Sequence, residues 1–299
     1  MKRMLFIMNS HAGQRKAKRF LSEILTIFNR GGYEVLVHMT AGTGDATRVA
    51  EEKAGSVDMV VCCGGDGTFN ETVTGVYRSG ARVCVGYIPA GSTNDFAASL
   101  GLPMDPVQAA RDIVAGTPEP FDLGSFNGRY FTYVASFGAF TRVSYATPQS
   151  LKNALGHTAY LLGGIQEVSQ IHNEHVRLEI DGEIVEDDFI FGAICNSTSL
   201  GGLLNLNPEK VDMRDGLFET MLVRKPRNLV EISECIQAVQ NQTYNCAMIT
   251  FRTASHIRVW PDPEMPWTLD GERADGCAEI EVKNHHLAYS LARKEPGDV

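Results

Sequence analysis

The stretch that most limits how this chain can fold is Cys63-Gly64-Gly65-Asp66-Gly67-Thr68-Phe69-Asn70-Glu71. An apolar run from Val57 to Cys63 leads into it, and helix-compatible sequence from Phe69 to Tyr77 leads out. The order is strand, glycine loop, helix start. Glycines carry no side chain to hold a phosphate off the backbone. The N–H groups of the first helical turn lack intrahelical partners and sit at the positive end of the helix dipole, so a phosphate fits there. Asp66 is the charged side chain of the turn and would repel a bare phosphate, which points to an accompanying Mg²⁺ or a polar contact. The same residues also read as a tight turn with a capped helix, because Thr68-x-x-Glu71 is a capping box. Neither G-x-G-x-x-G nor G-x-x-x-x-G-K-[ST] is present here.

The rest of the first half repeats this grammar. Met4 to Met8 reads as a strand buried on both faces, followed by the polar turn Asn9-Ser10-His11-Ala12-Gly13. A helix to about Phe28 is expected next, ended by Gly31-Gly32. Tyr33 to Met39 alternates like a strand, and Thr40 to Asp45 turns into a helix ending near Ala54. Arg82 to Ile88 is a further strand, followed by Pro89-Ala90-Gly91-Ser92-Thr93-Asn94-Asp95-Phe96. Asp105-Pro106 opens another helix, with Asp as N-cap and Pro at the first helical position. This order of strands and helices predicts a parallel sheet covered by helices, with ligands at the carboxyl ends of the strands.

At 299 residues the chain accommodates two domains. The boundary is expected at Thr117-Pro118-Glu119-Pro120, giving residues 1–120 and 121–289, with residues from about 290 as candidates for a return to the first domain. Beyond the boundary, Asn127-Gly128 and Asp181-Gly182 read as hairpin turns. Strands are expected at Leu217–Val223, Ala247–Phe251, Ile257–Trp260, Ala278–Val282 and His286–Leu291, with helices near Leu151–Ile171 and Leu229–Gln240. The second half is therefore expected to be a mainly antiparallel β-sandwich.

A net charge of −9 argues against a nucleic-acid partner. The local cluster Arg15-Lys16-x-Lys18-Arg19 reads as a solvated helix face or as a contact for nucleotide or lipid phosphates. The seven cysteines form no C-x-x-C, and Cys62 and Cys63 lie in a buried apolar run, so reduced core thiols and a cytoplasmic location are expected. The apolar run Met4–Met8 is too short for a signal peptide, and no stretch approaches the roughly 20 apolar residues of a spanning helix. No Ser-His-Asp or zinc pattern emerges.

Pro89 to Asp95 is a second loop of the phosphate type, although Ser92-x-x-Asp95 is also a capping box by pattern. G-G-D-G-T-x-N-E followed by P-x-G-[ST]-x-N-D-F-A resembles the diacylglycerol kinase catalytic domain, of the soluble bacterial lipid kinase type. The likeness continues through Asp212-x-x-Asp215-Gly216-Leu217-Phe218-Glu219 and Leu269-Asp270-Gly271-Glu272. It implies an N-terminal α/β nucleotide-binding domain, similar to those of NAD kinase and phosphofructokinase, followed by the β-sandwich.

The resemblance also implies roles. Asn9, Ser10, His11, Ala12, Gly13 and Thr40 would line the nucleotide. Gly65, Asp66, Gly67, Thr68, Phe69, Asn70 and Glu71 would hold the ATP phosphates, joined by Ser92. A Mg²⁺ site would fall on Asp215, with main-chain oxygens of Asp212 and Leu217. Glu272 would accept the proton of the attacking hydroxyl, accompanied by Asp270. In a strand these two acids would share a face, and Asp-Gly-Glu is also a common hairpin turn. Two departures stand out: the family has Asn-Pro where this chain has Asn9-Ser10, and often Thr where it has Ser92.

The expected function is ATP- and Mg²⁺-dependent phosphorylation of a membrane lipid hydroxyl, with diacylglycerol giving phosphatidic acid. The lipid would be met by peripheral, transient contact with the membrane surface, and a homodimer stays open. Alternatives are a kinase for a sphingoid base, ceramide or undecaprenol, an NAD kinase, or a nucleotide-binding regulatory protein without turnover.

Overall fold

The computed structural model describes residues 1–9, 16–138, 173–200 and 204–294. The turn residues Ser10 to Gly13 and the helix expected near Leu151–Ile171 lie outside the described residues. Two units are found, Met1–Leu123 with His285–Val299, and Gly124–Asn284.

The first unit is a parallel sheet of β1 (Lys2–Met8), β2 (Tyr33–Met39), β3 (Met59–Gly64) and β4 (Cys84–Pro89) in the order β4-β3-β1-β2. Helices α1 (Lys16–Arg19), α2 (Leu21–Arg30), α3 (Asp45–Lys53), α4 (Asp66–Ser79), α5 (Asp95–Ser99) and α6 (Pro106–Ala115) connect the strands. The single helix expected up to Phe28 is two pieces, because Phe20 has φ −101° and ψ 3° and interrupts the turn. One face of the sheet presents Met4, Phe6, Met8, Val61 and Cys63 to Ile24 and Phe28 of α2 and to Ala109, Ala110 and Ile113 of α6. The intervening residues Leu5, Ile7, Val60 and Cys62 are buried too, as an all-apolar strand requires in a doubly covered sheet. Asp105 caps α6 by accepting from Val107 N and Gln108 N, and Pro106 fills the first position, where no intrahelical N–H is needed.

The Thr117–Pro120 segment opens β5 (Thr117–Phe126), along which the chain leaves the first unit between Leu123 and Gly124.

The second unit is antiparallel. Its strands are β6 (Arg129–Phe131), β7 (Val134–Gly138), β8 (Glu174–Ile180), β9 (Glu183–Cys195), the short pair β10 (Ser199–Leu200) and β11 (Leu204–Asn205), β12 (Phe218–Arg224), β13 (Ile249–Ala254), β14 (His256–Trp260), β15 (Trp267–Leu269) and β16 (Glu272–Ala274). Helix α7 spans Leu229–Gln240. Strand β9 pairs with β8 over its first half and with β7 and β12 over its second, so one strand serves both parts of the sandwich. Phe126, Phe131, Phe137, Leu178, Phe189 and Trp267 form its core. Asn127-Gly128 and Asp181-Gly182 have φ of 46° and 81°, and 45° and 91°, the left-handed pairs that a two-residue hairpin demands.

The two strands expected at Ala278–Val282 and His286–Leu291 are one, β17 (Ile280–Arg293). Its start pairs antiparallel with β14, and its end pairs parallel with β4 in the first unit, Ser290 opposite Cys84. The sequence reads as two because the polar stretch Lys283-Asn284-His285 interrupts the apolar pattern. Within β17, Leu287 has φ 50°, and its N–H is donated to the buried Asp122 carboxylate at 2.7 Å.

Candidate active site

Backbone bonds gather the loops of the first unit at the carboxyl edge of the sheet. Each strand ladder runs one residue past the strand: Asn9 N donates to Cys63 O (2.9 Å), Thr40 N to Met8 O (3.0 Å) and Ala90 N to Gly64 O (2.7 Å). Asn9, Thr40, the glycine turn and the Ser92 loop therefore line one edge. Asn9 also donates from Nδ2 to Thr68 Oγ1 at 3.1 Å.

Among the described residues, α3, α4 and α5 begin at the ends of β2, β3 and β4, and the N-termini of α3 and α5 are met by carboxylates from α4. Glu71 accepts from Gly44 N (2.7 Å) and Ala46 N (3.3 Å) at the start of α3. Asp66 accepts from Asp95 N (3.1 Å) and Phe96 N (3.2 Å) at the start of α5. Neither sequence capping box forms. The N-caps are Gly65 and Asn94, which puts Thr68 and Glu71 inside α4 and leaves Ser92 outside α5. The N-cap of α4, Gly65, has no side chain to offer, so it makes no side-chain cap bond to this fourteen-residue helix. That end has the donors and the dipole for an anion.

The glycines have a tighter reason than access for phosphate. A Cβ on Gly91 would lie 2.6 Å from Gly65 Cα, and one on Gly65 would lie 3.2 Å from Gly91 Cα. The two loops touch backbone to backbone, which only glycine permits. Phe69, expected at the phosphates, is wholly buried between Tyr87 and Phe96, with ring centroids 4.4 and 4.5 Å away. Its side chain anchors α4 in the core. Asn70 Oδ1 accepts from Thr74 Oγ1 at 3.1 Å, and Ser92 is exposed.

Asn94 shapes the second loop and is absent from the residues singled out in the sequence. Its φ is 56°; Oδ1 accepts from Gly91 N at 2.8 Å, and Nδ2 donates to Gly91 O at 3.1 Å. The signal was there, since Asn is among the few side chains that tolerate a left-handed backbone and bond locally.

In the second unit, Asp270 and Glu272 do not share a strand face. Asp270-Gly271 is the turn of the β15–β16 hairpin, with φ of 50° and 78°. Asp270 is 5% exposed, and its carboxylate accepts four bonds: from Thr132 N (2.6 Å) and Thr132 Oγ1 (2.8 Å), and from Tyr133 N (2.9 Å) and Val134 N (3.0 Å). Glu272 opens β16 with its side chain 53% exposed, 3.1 Å from Arg129 Nη2. The buried acid thus fixes the chain before β7, and the exposed one stays open to solvent.

Asp212 and Asp215 are exposed in the loop before β12. Asp215 Oδ1 accepts from Leu217 N at 2.9 Å, and Leu217 O accepts from Asn284 Nδ2 at 3.1 Å. Beside them Glu219 is 1% exposed, and its Oε2 has no hydrogen-bond partner. Burial first, then the charges of Asp215 and Asp212, push its carboxyl up to about 8. An all-oxygen set with excess negative charge suits a hard divalent cation such as Mg²⁺. Among the described residues, no three His, Cys, Asp or Glu side chains converge to hold a metal by themselves, so main-chain oxygens would have to contribute. Cys62 and Cys63 are free and fully buried, and burial pushes the Cys63 thiol up to about 12, so it is no nucleophile at neutral pH.

Two family models match. The diacylglycerol kinase catalytic domain covers residues 3–126, and the YegS C-terminal NAD kinase beta sandwich-like domain covers residues 134–288. The chain is 35% identical over 275 residues to a diacylglycerol kinase of Bacillus subtilis (strain 168), covering 91% of this chain and 90% of the relative. It is 32% identical over 294 residues to one of Staphylococcus carnosus (strain TM300), covering 97% and 95%. A crystal structure of a diacylglycerol kinase from Bacillus anthracis str. Sterne has the same fold, with a TM-score of 0.75 at 22% identity over 98% of this chain and 97% of that one.

Proposed function

Since the chain belongs to the diacylglycerol kinase family and is a lipid kinase, we propose that it transfers the γ-phosphoryl group of ATP to diacylglycerol, giving phosphatidic acid and ADP. The observation that carries the nucleotide half is an asymmetry at the carboxyl edge. The N-termini of α3 and α5 are met by Glu71 and Asp66, while the N-cap of α4 is Gly65, which has no side chain to cap it. The phosphates are held there by backbone N–H groups, with Asn9, Thr40 and Ser92 as polar neighbours.

Glu272 takes the proton of the lipid hydroxyl as its oxygen bonds to phosphorus and the bond to the ADP oxygen breaks. Arg129 orients that carboxylate. Asp270 positions rather than reacts, since its oxygens already accept four bonds. Asp215 with main-chain oxygens of Asp212 and Leu217 would hold Mg²⁺, and Mg²⁺ supplies charge neutralisation when bound. In this reading the lipid is met by peripheral contact at the membrane surface; no described helix is long and apolar enough to cross a membrane.

The test is transfer from radiolabelled ATP with Mg²⁺ to vesicles doped with diacylglycerol, with the product identified by mass spectrometry. Phosphatidic acid is the expected product. Labelling of a sphingoid base, ceramide or undecaprenol in place of diacylglycerol would reassign the acceptor. ATP binding without transfer to any lipid would replace the proposal with a regulatory nucleotide-binding protein.

A further inference from the structure

Asp66 sits at the first position of the helix that is to hold a phosphate, where a negative charge is the wrong sign. The geometry resolves the conflict. One carboxylate oxygen accepts from Asp95 N at 3.1 Å and the other from Phe96 N at 3.2 Å, both at the start of α5. A carboxylate against first-turn N–H groups is a favourable charge–dipole contact, so these two bonds direct the charge onto α5. The same contact holds the two loops together. Gly65 and Gly91 touch there, Ala90 N donates to Gly64 O at 2.7 Å, and Asn94 keeps the second loop closed on Gly91.

We propose that Asp66 is a positioning residue rather than a magnesium ligand: it clamps the Pro89–Asn94 loop onto the Gly64–Gly65 turn and so builds the phosphate seat at the N-terminus of α4. This rests on the nucleotide reading above and gives its acidic residue a specific task. Glu71 does the equivalent for α3. Helix α4 therefore carries its own two struts, Glu71 to the start of α3 and Asp66 to the start of α5.

Asp66→Ala, Asp66→Asn and Gly91→Ala test this, the last because its Cβ would push the loops apart while Asp66 stays intact. The readouts are hydrogen exchange of the peptide containing Asp95 and Phe96, KM for ATP, kcat at saturating ATP, and the Mg²⁺ midpoint of the rate. Asp66→Ala should speed exchange at Asp95 and Phe96 and raise KM for ATP about tenfold or more, as loss of two charge-assisted bonds implies. Its kcat should stay within about threefold, and its Mg²⁺ midpoint should match the parent. Asp66→Asn, which keeps one acceptor oxygen, should fall between, and Gly91→Ala should reproduce the KM rise. A shifted Mg²⁺ midpoint with unchanged exchange would overturn the proposal, as would a parental KM in Gly91→Ala. A parent protein without ATP affinity would sink the nucleotide reading and the phosphate seat with it, and the exchange data would still decide whether Asp66 is the clamp.

Discussion

Glu272 and Asp270 show how two carboxylates one residue apart acquire different work. Glu272 is exposed and held by one guanidinium, so Glu272→Gln keeps its size and removes its basicity. Turnover should fall by roughly 10² to 10⁴, with ATP affinity within a few-fold of the parent. Turnover near the parental value on diacylglycerol would remove Glu272 from the mechanism. Asp270→Asn instead turns an amide N–H₂ toward main-chain N–H donors that have no other use for it. The expected loss is in stability, about 2 to 4 kcal/mol by chemical denaturation, because a buried charged acceptor of several bonds is being broken. Any fall in activity should then track the folded fraction.

At the scale of elements, the carboxylates of α4 organise their neighbours. Glu71→Ala leaves Gly44 N and Ala46 N without that acceptor at the first turn of α3. The N-cap there is Gly44 at φ 81°, with no side chain that could substitute. The expected cost is about 1 to 2 kcal/mol, with faster exchange confined to residues 44–47. Unchanged exchange in that segment would show that packing of α3 on α4 suffices without the cap. Neighbouring helices thus depend on the glycine-loop helix for their starts, which a sequence read one capping box at a time does not reveal.

For the whole molecule, Glu219 links stability to pH and metal. Its carboxyl moves from an ordinary 4.5 up to about 8 on folding, through burial and then the charges of Asp215 and Asp212. Between those values the folded chain binds a proton that the unfolded chain has released, so folding stability falls as pH rises through that window. In chelator, the parent should lose a few kcal/mol from about pH 5 to pH 8 on this account. Glu219→Gln should flatten the decline, and an equally steep one in that variant would remove the assignment. Mg²⁺ should raise the melting temperature of the parent, because an ion bound to the folded state stabilises it. Asp215→Ala should abolish that rise; equal Mg²⁺ responses would leave Asp215 as a turn residue.

Local chemistry in the sequence determined much of this. The all-apolar runs Met4–Met8 and Met59–Cys63 dictated doubly covered parallel strands, and the Asn-Gly and Asp-Gly pairs dictated hairpins, because burial and φ sign are properties of the residues themselves. The motif pair Gly64–Glu71 and Pro89–Phe96 was legible as the site-forming loops for the same reason. Tertiary structure alone decided which donors each acid meets. Asp66 reaches an amide 30 residues away, Glu71 one 27 residues back, and Asp270 one 138 residues back. Leu287 within β17 likewise donates to Asp122, 165 residues earlier. A carboxylate takes its role from the partners folding brings to it, and partners at such separations leave no periodicity in the chain to be read.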